Sequence, residues 1–406
     1  DIVSYMIANE SCTFLYYSNF MRNHPVMDKN IRDDTQISRL LKYNIKEQDI
    51  YLFLRAWNQM NNTKECVYVG YDSTNFNMNA YGIELADYGH PKVDEGLPQY
   101  NLVYAVNQKD STPLFYELYD GSVIDNTELE IMLEEAKEYG HEKLGVLMNR
   151  GYISEKNIKA LRTKGYEYIL MMKQNQRICQ EIIEEYGAAV QSLEGYYIGE
   201  HGVYGTTVKK QLYGQETNIH VYYDDIRASE EKVALMSRYE TWEEEIEKKV
   251  TKRIATEGEM KKYRKVFKLK YDQNGYLVAY QRNSRYIKEE IRNLVFFFII
   301  ISEEMSASKA LDIYIGRDNI EKMFRSLKSG IDFNKARVHT TESLKSKVFV
   351  TFIAMIVRNE LFQKAEELRK KNRKAYTVPE MISELENIEY TINSVGKYRR
   401  KYALTA

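Results

Sequence analysis

Between Val67 and Met172 the chain changes its hydrophobic period again and again, and that succession restricts the possible fold more than any other feature. Val67-Tyr-Val-Gly-Tyr-Asp72-Ser-Thr74 is an apolar run of strand length, with Asp72 expected at its end. Asn101–Val106 and Pro113–Tyr119 read as two further strands, the second closed by Asp120-Gly121 turn chemistry. The period then lengthens. Asn126 can cap a helix to about Tyr139, with Leu129, Ile131, Met132 and Ala136 on its apolar side. Leu144–Met148 reads as a short buried strand, Ser154–Lys164 as a helix and Tyr168–Met172 as a strand. Three strands, helix, strand, helix, strand is a mixed α/β order.

A second constraint lies far downstream. Tyr314-Ile-Gly-Arg317-Asp-Asn-Ile-Glu321-Lys-Met-Phe-Arg-Ser-Leu-Lys328 is predicted as part of one helix, capped at Ser306 or Ser308 and ended at Gly330, with no proline between. At about 100° per residue, Tyr314, Arg317, Glu321 and Lys328 fall within roughly 60° on one stripe. Ile320, Met323, Phe324 and Leu327 form the neighbouring stripe and are expected to be buried. The polar stripe offers a carboxylate flanked by two cations and a phenol. A carboxylate can hold a divalent metal while arginine and lysine neutralise phosphate oxygens, so the set suits phosphodiester chemistry. A solvated helix face is the plain alternative.

The pattern Y-(2)-R-(3)-E-(6)-K resembles the signature of bacterial insertion-sequence transposases of the DDE, cut-and-paste type. Asp72-Ser-Thr is similar to that family's first aspartate motif, and Gly89-His-Pro-Lys92 with Leu97-Pro-Gln99 to the segment between its first two strands. Asn149-Arg-Gly-Tyr152 stands where the family has Asp-Arg-Gly, with asparagine in place of the second catalytic aspartate. The resemblance covers about Val67 to Leu361. It implies a ribonuclease-H-like catalytic core with a mostly β insertion before the last catalytic helix, between helical N- and C-terminal regions. The expected division is an N-terminal helical region 1–65, the first part of the core 66–174, the insertion 175–290, the second part of the core 291–362, and a basic helical region 363–406.

The same resemblance implies two Mg2+ ions, with Mn2+ as substitute, held by Asp72, the residue at 149 and Glu321. Arg317, Lys328 and Tyr314 would meet DNA phosphates. The reaction would be cleavage at the terminal inverted repeats and strand transfer into target DNA, performed by a homodimer on double-stranded DNA. Asn149 raises the alternative of a catalytically inactive DNA-binding descendant, because an amide is a weaker ligand than a carboxylate for a hard cation. A ribonuclease-H-like nuclease unrelated to mobile elements would keep the acids but not the whole signature helix.

Composition permits this and adds little. A net charge of −1 gives no global nucleic-acid signal, so DNA contact must come from local patches. The basic run from Lys248 to Lys270 is one candidate, a solvated helix balanced by Glu243–Glu247 being the other reading. Cys12, Cys66 and Cys179 lack metal spacing and read as reduced cytosolic thiols; the resemblance implies a bacterial cytoplasmic protein, nucleoid-associated when bound to DNA. The longest apolar run, Leu294–Ile301, is too short for a membrane span and reads as a buried strand. The insertion is expected to hold strands at Gly205–Tyr213 and Ile219–Tyr223, a charged helix from about Ala228 to Lys252, and a hairpin about Asn274-Gly275. The C-terminal region, including Arg399-Arg400-Lys401, is expected to be helical, with Pro379 marking a break, and either mediates dimerisation or DNA contact or forms a plain cap.

Overall fold

The computed structural model describes residues 1–61, 66–78, 82–88, 96–122, 125–141, 143–148, 153–192, 194–252, 260–372, 376–388, 390–392 and 398–400. They divide into two compact units, Asp1–Leu170 with Asp312–Ala406, and Met171–Leu311.

The first unit is built on β1 (Val67–Asn77), β2 (Gln99–Asn107), β3 (Pro113–Asp120), β4 (Leu144–Met148) and β5 (Glu167–Met171), side by side in the order β3-β2-β1-β4-β5. β1, β2 and β3 form an antiparallel meander; β4 joins β1 and β5 joins β4 in parallel. Parallel neighbours need crossovers. The helices Asp125–Glu138 and Glu155–Lys164 supply them, the second capped by the Ser154 hydroxyl, which accepts from the Asn157 N–H, and stopped by Gly165 at φ 72°. This is the mixed α/β, ribonuclease-H-like core.

Helices cover the sheet. The Glu47–Asn61 helix is fastened to β3 by the Trp57 indole N–H, which donates to the Pro113 carbonyl at 2.7 Å, and by the Asn58 amide on the Leu114 carbonyl at 2.8 Å. The 32-residue helix Thr341–Asn372 sets the Phe352 ring 5.7 Å from Tyr104 and 5.0 Å from Tyr116. Among the described residues no helix is long and apolar enough to cross a membrane.

The second unit holds β6 (Tyr197–Ile198), β7 (Val203–Leu212), β8 (Gln215–Tyr223), β9 (Phe267–Tyr271), β10 (Leu277–Arg282) and β11 (Phe296–Ile301). β11, β8, β7 and β6 are antiparallel neighbours in that order, and β9 pairs with β10 across the turn containing Gly275 at φ 80°. Helices share this unit with the strands. Arg177–Ser192 precedes β6, and the charged stretch forms a 28-residue helix, Asp225–Lys252. Tyr239, Ile246, Tyr263, Phe267, Leu277 and Ile287 make a second core there.

Several expectations need correcting. Asp72 lies in mid-strand, because antiparallel pairing with β2 continues to Asn77 after the parallel pairing with β4 has stopped at Tyr71. Ile131 is exposed, and Leu133 takes its place in the core. The break expected at Pro379 is present, by contrast: one helix ends at Asn372, the next begins at Val378, and Pro379 stands in its first turn, where its missing N–H costs nothing. Tyr390–Ile392 pairs antiparallel with Tyr398–Arg400, so Arg399 and Arg400 are in a β ladder and not a helix; the aromatic and β-branched residues of Tyr390-Thr-Ile392 suit a strand.

Candidate active site

Asp72 stands opposite Tyr104 in the β1–β2 register, and Phe76 stands opposite Tyr100. Paired residues of antiparallel strands project to the same face. On that face the Tyr104 ring meets Phe324 edge-on at 5.8 Å, and the Lys328 ammonium lies 5.2 Å over the Phe76 ring. The Asp72 carboxylate, half-buried, therefore emerges on the side of the sheet covered by the helix carrying Glu321. Its Oδ1 accepts the Ser73 N–H at 2.9 Å. Burial pushes the Tyr104 phenol up, so this neighbour stays uncharged.

The signature stretch is not one helix. It runs as Ala307–Ile315, a break at Gly316-Arg317, Asp318–Arg325, and a π turn Ser326–Gly330. Ser306 caps the start, its hydroxyl accepting from the Lys309 N–H at 3.2 Å. At the break, Arg317 N–H reaches the Tyr314 carbonyl and Asn319 N–H the Gly316 carbonyl, both bonds of three-residue span. Gly316 is closely surrounded: a Cβ there would lie 3.1 Å from both Gln108 Oε1 and the Ile313 carbonyl oxygen. Asn319 then ties the second helix to the end of β2, donating to the Gln108 carbonyl at 3.4 Å. Gly330 does not end the helix through a left-handed conformation; Asp332, at φ 54°, takes that role. A Cβ on Gly330 would lie 2.6 Å from Arg358 Nη2, so glycine is there to admit that guanidinium.

Ile320, Met323, Phe324 and Leu327 are all buried, as the apolar stripe requires. The polar stripe divides. Glu321 is half exposed and accepts from Arg317 at 3.0 Å, one turn apart. Arg317 is only 14% exposed and reaches Asp318 at 3.9 Å, its guanidinium 5.6 Å over the Tyr314 ring. Tyr314 is 7% exposed, so it braces Arg317 from below and does not line an open face as expected. The helix break lets Tyr314 turn inward while Arg317 and Glu321 stay on one side.

Asn149 lies outside the described residues, as do Arg150, Gly151 and Tyr152 and the Gly89–Lys92 motif. Their immediate neighbours are informative. Met148 is paired with Tyr71, so the residues just before Asn149 and Asp72 lie side by side at the end of a parallel pair. In open α/β sheets that end is where ligands are met.

Sequence reading missed Arg358. It is 7% exposed, and its Nε donates to the Ser326 hydroxyl at 2.9 Å while Nη2 meets the Glu10 carboxylate at 3.0 Å. A lone arginine following the apolar run Val348–Val357 was the available signal.

The fold defines a ribonuclease-H-like protein. A family described as "Transposase DDE domain" matches residues 71–357, and the chain belongs to it. A search of curated proteins finds no match. Among solved structures the chain is similar to a piggyBac transposase synaptic complex with hairpin DNA, at 8% identity and a TM-score of 0.41, covering 95% of this chain and 69% of that one. Members of the DDE family act on DNA with divalent metal.

Proposed function

We propose that this protein is the transposase of a bacterial insertion sequence, binding double-stranded DNA at the terminal inverted repeats and cleaving and transferring its strands. The observation that carries the reading is the shared face: Asp72 emerges beside Tyr104, whose ring meets Phe324, one turn from Glu321 on the same helix. In this reading residues 66–174 and 291–362 supply the core, 175–290 the insertion, and 1–65 and 363–406 the flanks. The protein works as a homodimer in the bacterial cytoplasm.

The donor set fits a hard divalent cation. Asp72 and Glu321 offer carboxylate oxygens and Asn149 an amide oxygen, the ligand types that Mg2+ or Mn2+ accepts. When bound, two such ions supply charge neutralisation at the attacking and leaving oxygens of an in-line phosphoryl transfer. The chain's own residues do the rest. Lys328, carried on the Phe76 ring, and Arg317, held by Glu321 and Tyr314, present fixed positive charge to the phosphate backbone; Tyr314 acts through Arg317. In the second unit, Lys261, Lys265, Lys268 and Lys270 are exposed and offer basic side chains of their own, whereas Lys262 is committed to Glu245 at 3.2 Å.

Asn149 favours a second reading, in which the chain binds element ends and does not cut them. The test is strand nicking of labelled DNA carrying the repeats that flank the gene, in Mg2+ and in Mn2+. The unaltered chain should bind and nick very slowly, and Asn149→Asp should raise nicking on the order of a hundredfold or more. Vigorous cleavage by the unaltered chain would remove the second reading; no binding to the repeats by either protein would remove both.

A further inference from the structure

Behind the helix that carries Glu321 lies a cavity of about 450 Å³, enclosed by that helix, the Thr341–Asn372 helix and the start of the Val378–Glu386 helix. Its size falls in the range of small-molecule sites. Met323, Met355, Phe362 and Val378 give it apolar walls. Arg358 is one of its lining residues. Two of its nitrogens are committed, Nε to Ser326 and Nη2 to Glu10, but Nη1 is buried and has no hydrogen-bond partner. A guanidinium nitrogen kept from water without an acceptor is costly, and an anion arriving in the cavity would relieve that cost.

The charge around the opening agrees. Lys322 and Arg369 lie on the lining against a single carboxylate, Glu366, which Arg369 already holds at 3.2 Å. We propose that this cavity is a binding site for a small amphipathic anion: a carboxylate, sulfonate or phosphate monoester on an apolar body. Arg358 Nη1 takes the anionic head, Lys322 adds charge at the rim, and the methionine and phenylalanine side chains cover the body. Asn319, Lys322, Met323 and Ser326 all belong to the stretch that presents Glu321, so the occupant rests directly against the back of that stretch. The site is independent of whether the chain cuts DNA.

The test uses the full chain without DNA, titrated with 8-anilinonaphthalene-1-sulfonate, an aromatic body with one anionic group. Methyl-labelled methionines are followed by NMR during the titration. Saturable binding of one probe per chain is expected, with shifts at the Met323 and Met355 methyls and none at Met27 or Met60, which are exposed elsewhere. Arg358→Met should weaken binding about tenfold or more, and Lys322→Gln about threefold. Lys322 is on the surface, so its variant decides the matter alone if Arg358→Met does not fold. The uncharged N-phenyl-1-naphthylamine should bind about tenfold more weakly than the sulfonate. Methyls of Met323 and Met355 that stay unmoved at saturating probe, or equal affinity for the charged and uncharged probes, would overturn the proposal.

Discussion

Asp72 and Tyr104 face each other across β1 and β2, and the Tyr104 ring meets Phe324 edge-on, so Asp72 and the helix bearing Glu321 are linked through a buried phenol. Asp72 thus lies on the face of the sheet that the helix bearing Glu321 covers. In an Asn149→Asp background, Asp72→Asn and Glu321→Gln should each return nicking of element-end DNA to the level of the unaltered chain, a loss on the order of a hundredfold or more. Either variant retaining the full rate would remove that residue from the catalytic set.

Phe324 and Arg317 should separate in stability. Phe324→Ala empties a buried aromatic site against Tyr104 and should cost about 3–5 kcal/mol. Arg317→Ala gives up a partly shielded pair with a half-exposed carboxylate and some packing on Tyr314, about 1 kcal/mol. Urea unfolding midpoints measure both, and equal shifts would contradict the burial difference.

Lys328 is half-buried, with its ammonium 5.2 Å over the Phe76 ring. Lys328→Ala should lower affinity for DNA of any sequence and reduce the slope of log affinity against log salt by about 1. An unchanged slope in a filter-binding series would mean that the lysine meets no phosphate.

Gly330 is required by its neighbour. Gly330→Ala should cost about 1–3 kcal/mol, because the added methyl and the Arg358 guanidinium claim the same space. Denaturation of Gly330→Ala beside Gly202→Ala, a site with open space around its Cβ position but φ 65°, distinguishes crowding from backbone strain. In a Gly330→Ala, Arg358→Met double variant much of the Gly330 cost should disappear.

His220 is fully buried on β8, with Nδ1 2.8 Å from the Thr207 hydroxyl, and burial lowers its pKa from 6.5 to about 4. The folded chain thus binds this proton less readily than the unfolded chain. Its contribution is fully present above pH 6.5 and is lost as pH falls toward 4, about 2 kcal/mol between pH 7.5 and 5. His220→Gln should flatten that part of the pH dependence in chemical denaturation. An identical pH profile for variant and parent would show that the imidazole is not held neutral. His141, also buried with its pKa lowered by burial, leaves a residual slope of the same sign.

The strands and crossover helices of the core were legible because each buries one predictable face. Leu144–Met148 has no other way to hide its apolar run, and Ser154 and Gly165 mark their helix ends chemically. The apolar stripe Ile320, Met323, Phe324 and Leu327 was legible for the same reason. What escaped depends on residues distant in sequence. The break at Gly316 answers to Gln108, and the widened turn at Gly330 answers to Arg358; neither neighbour is visible in a local window. Tyr314 looked like part of an open polar row because an unbroken helix was assumed. Asp72 looked terminal because the strand's second partner, β2, continues where the polar Ser73-Thr74-Asn75 would otherwise suggest a stop.

The π turn at Ser326–Gly330 changes what the spacing of the motif means. A five-residue turn is the geometric equivalent of an ordinary helix with one residue inserted. Seven positions separate Glu321 from Lys328, yet the directions of the two side chains are set by both the count and the turn that absorbs it. A relative with one residue fewer in this segment, and a plain α-helix in place of the wide turn, could present the same acid and cation to the same side. Spacing in this stretch is therefore a quantity that evolution can alter by one without moving the chemistry, provided the residue opposite position 330 shrinks or grows in step.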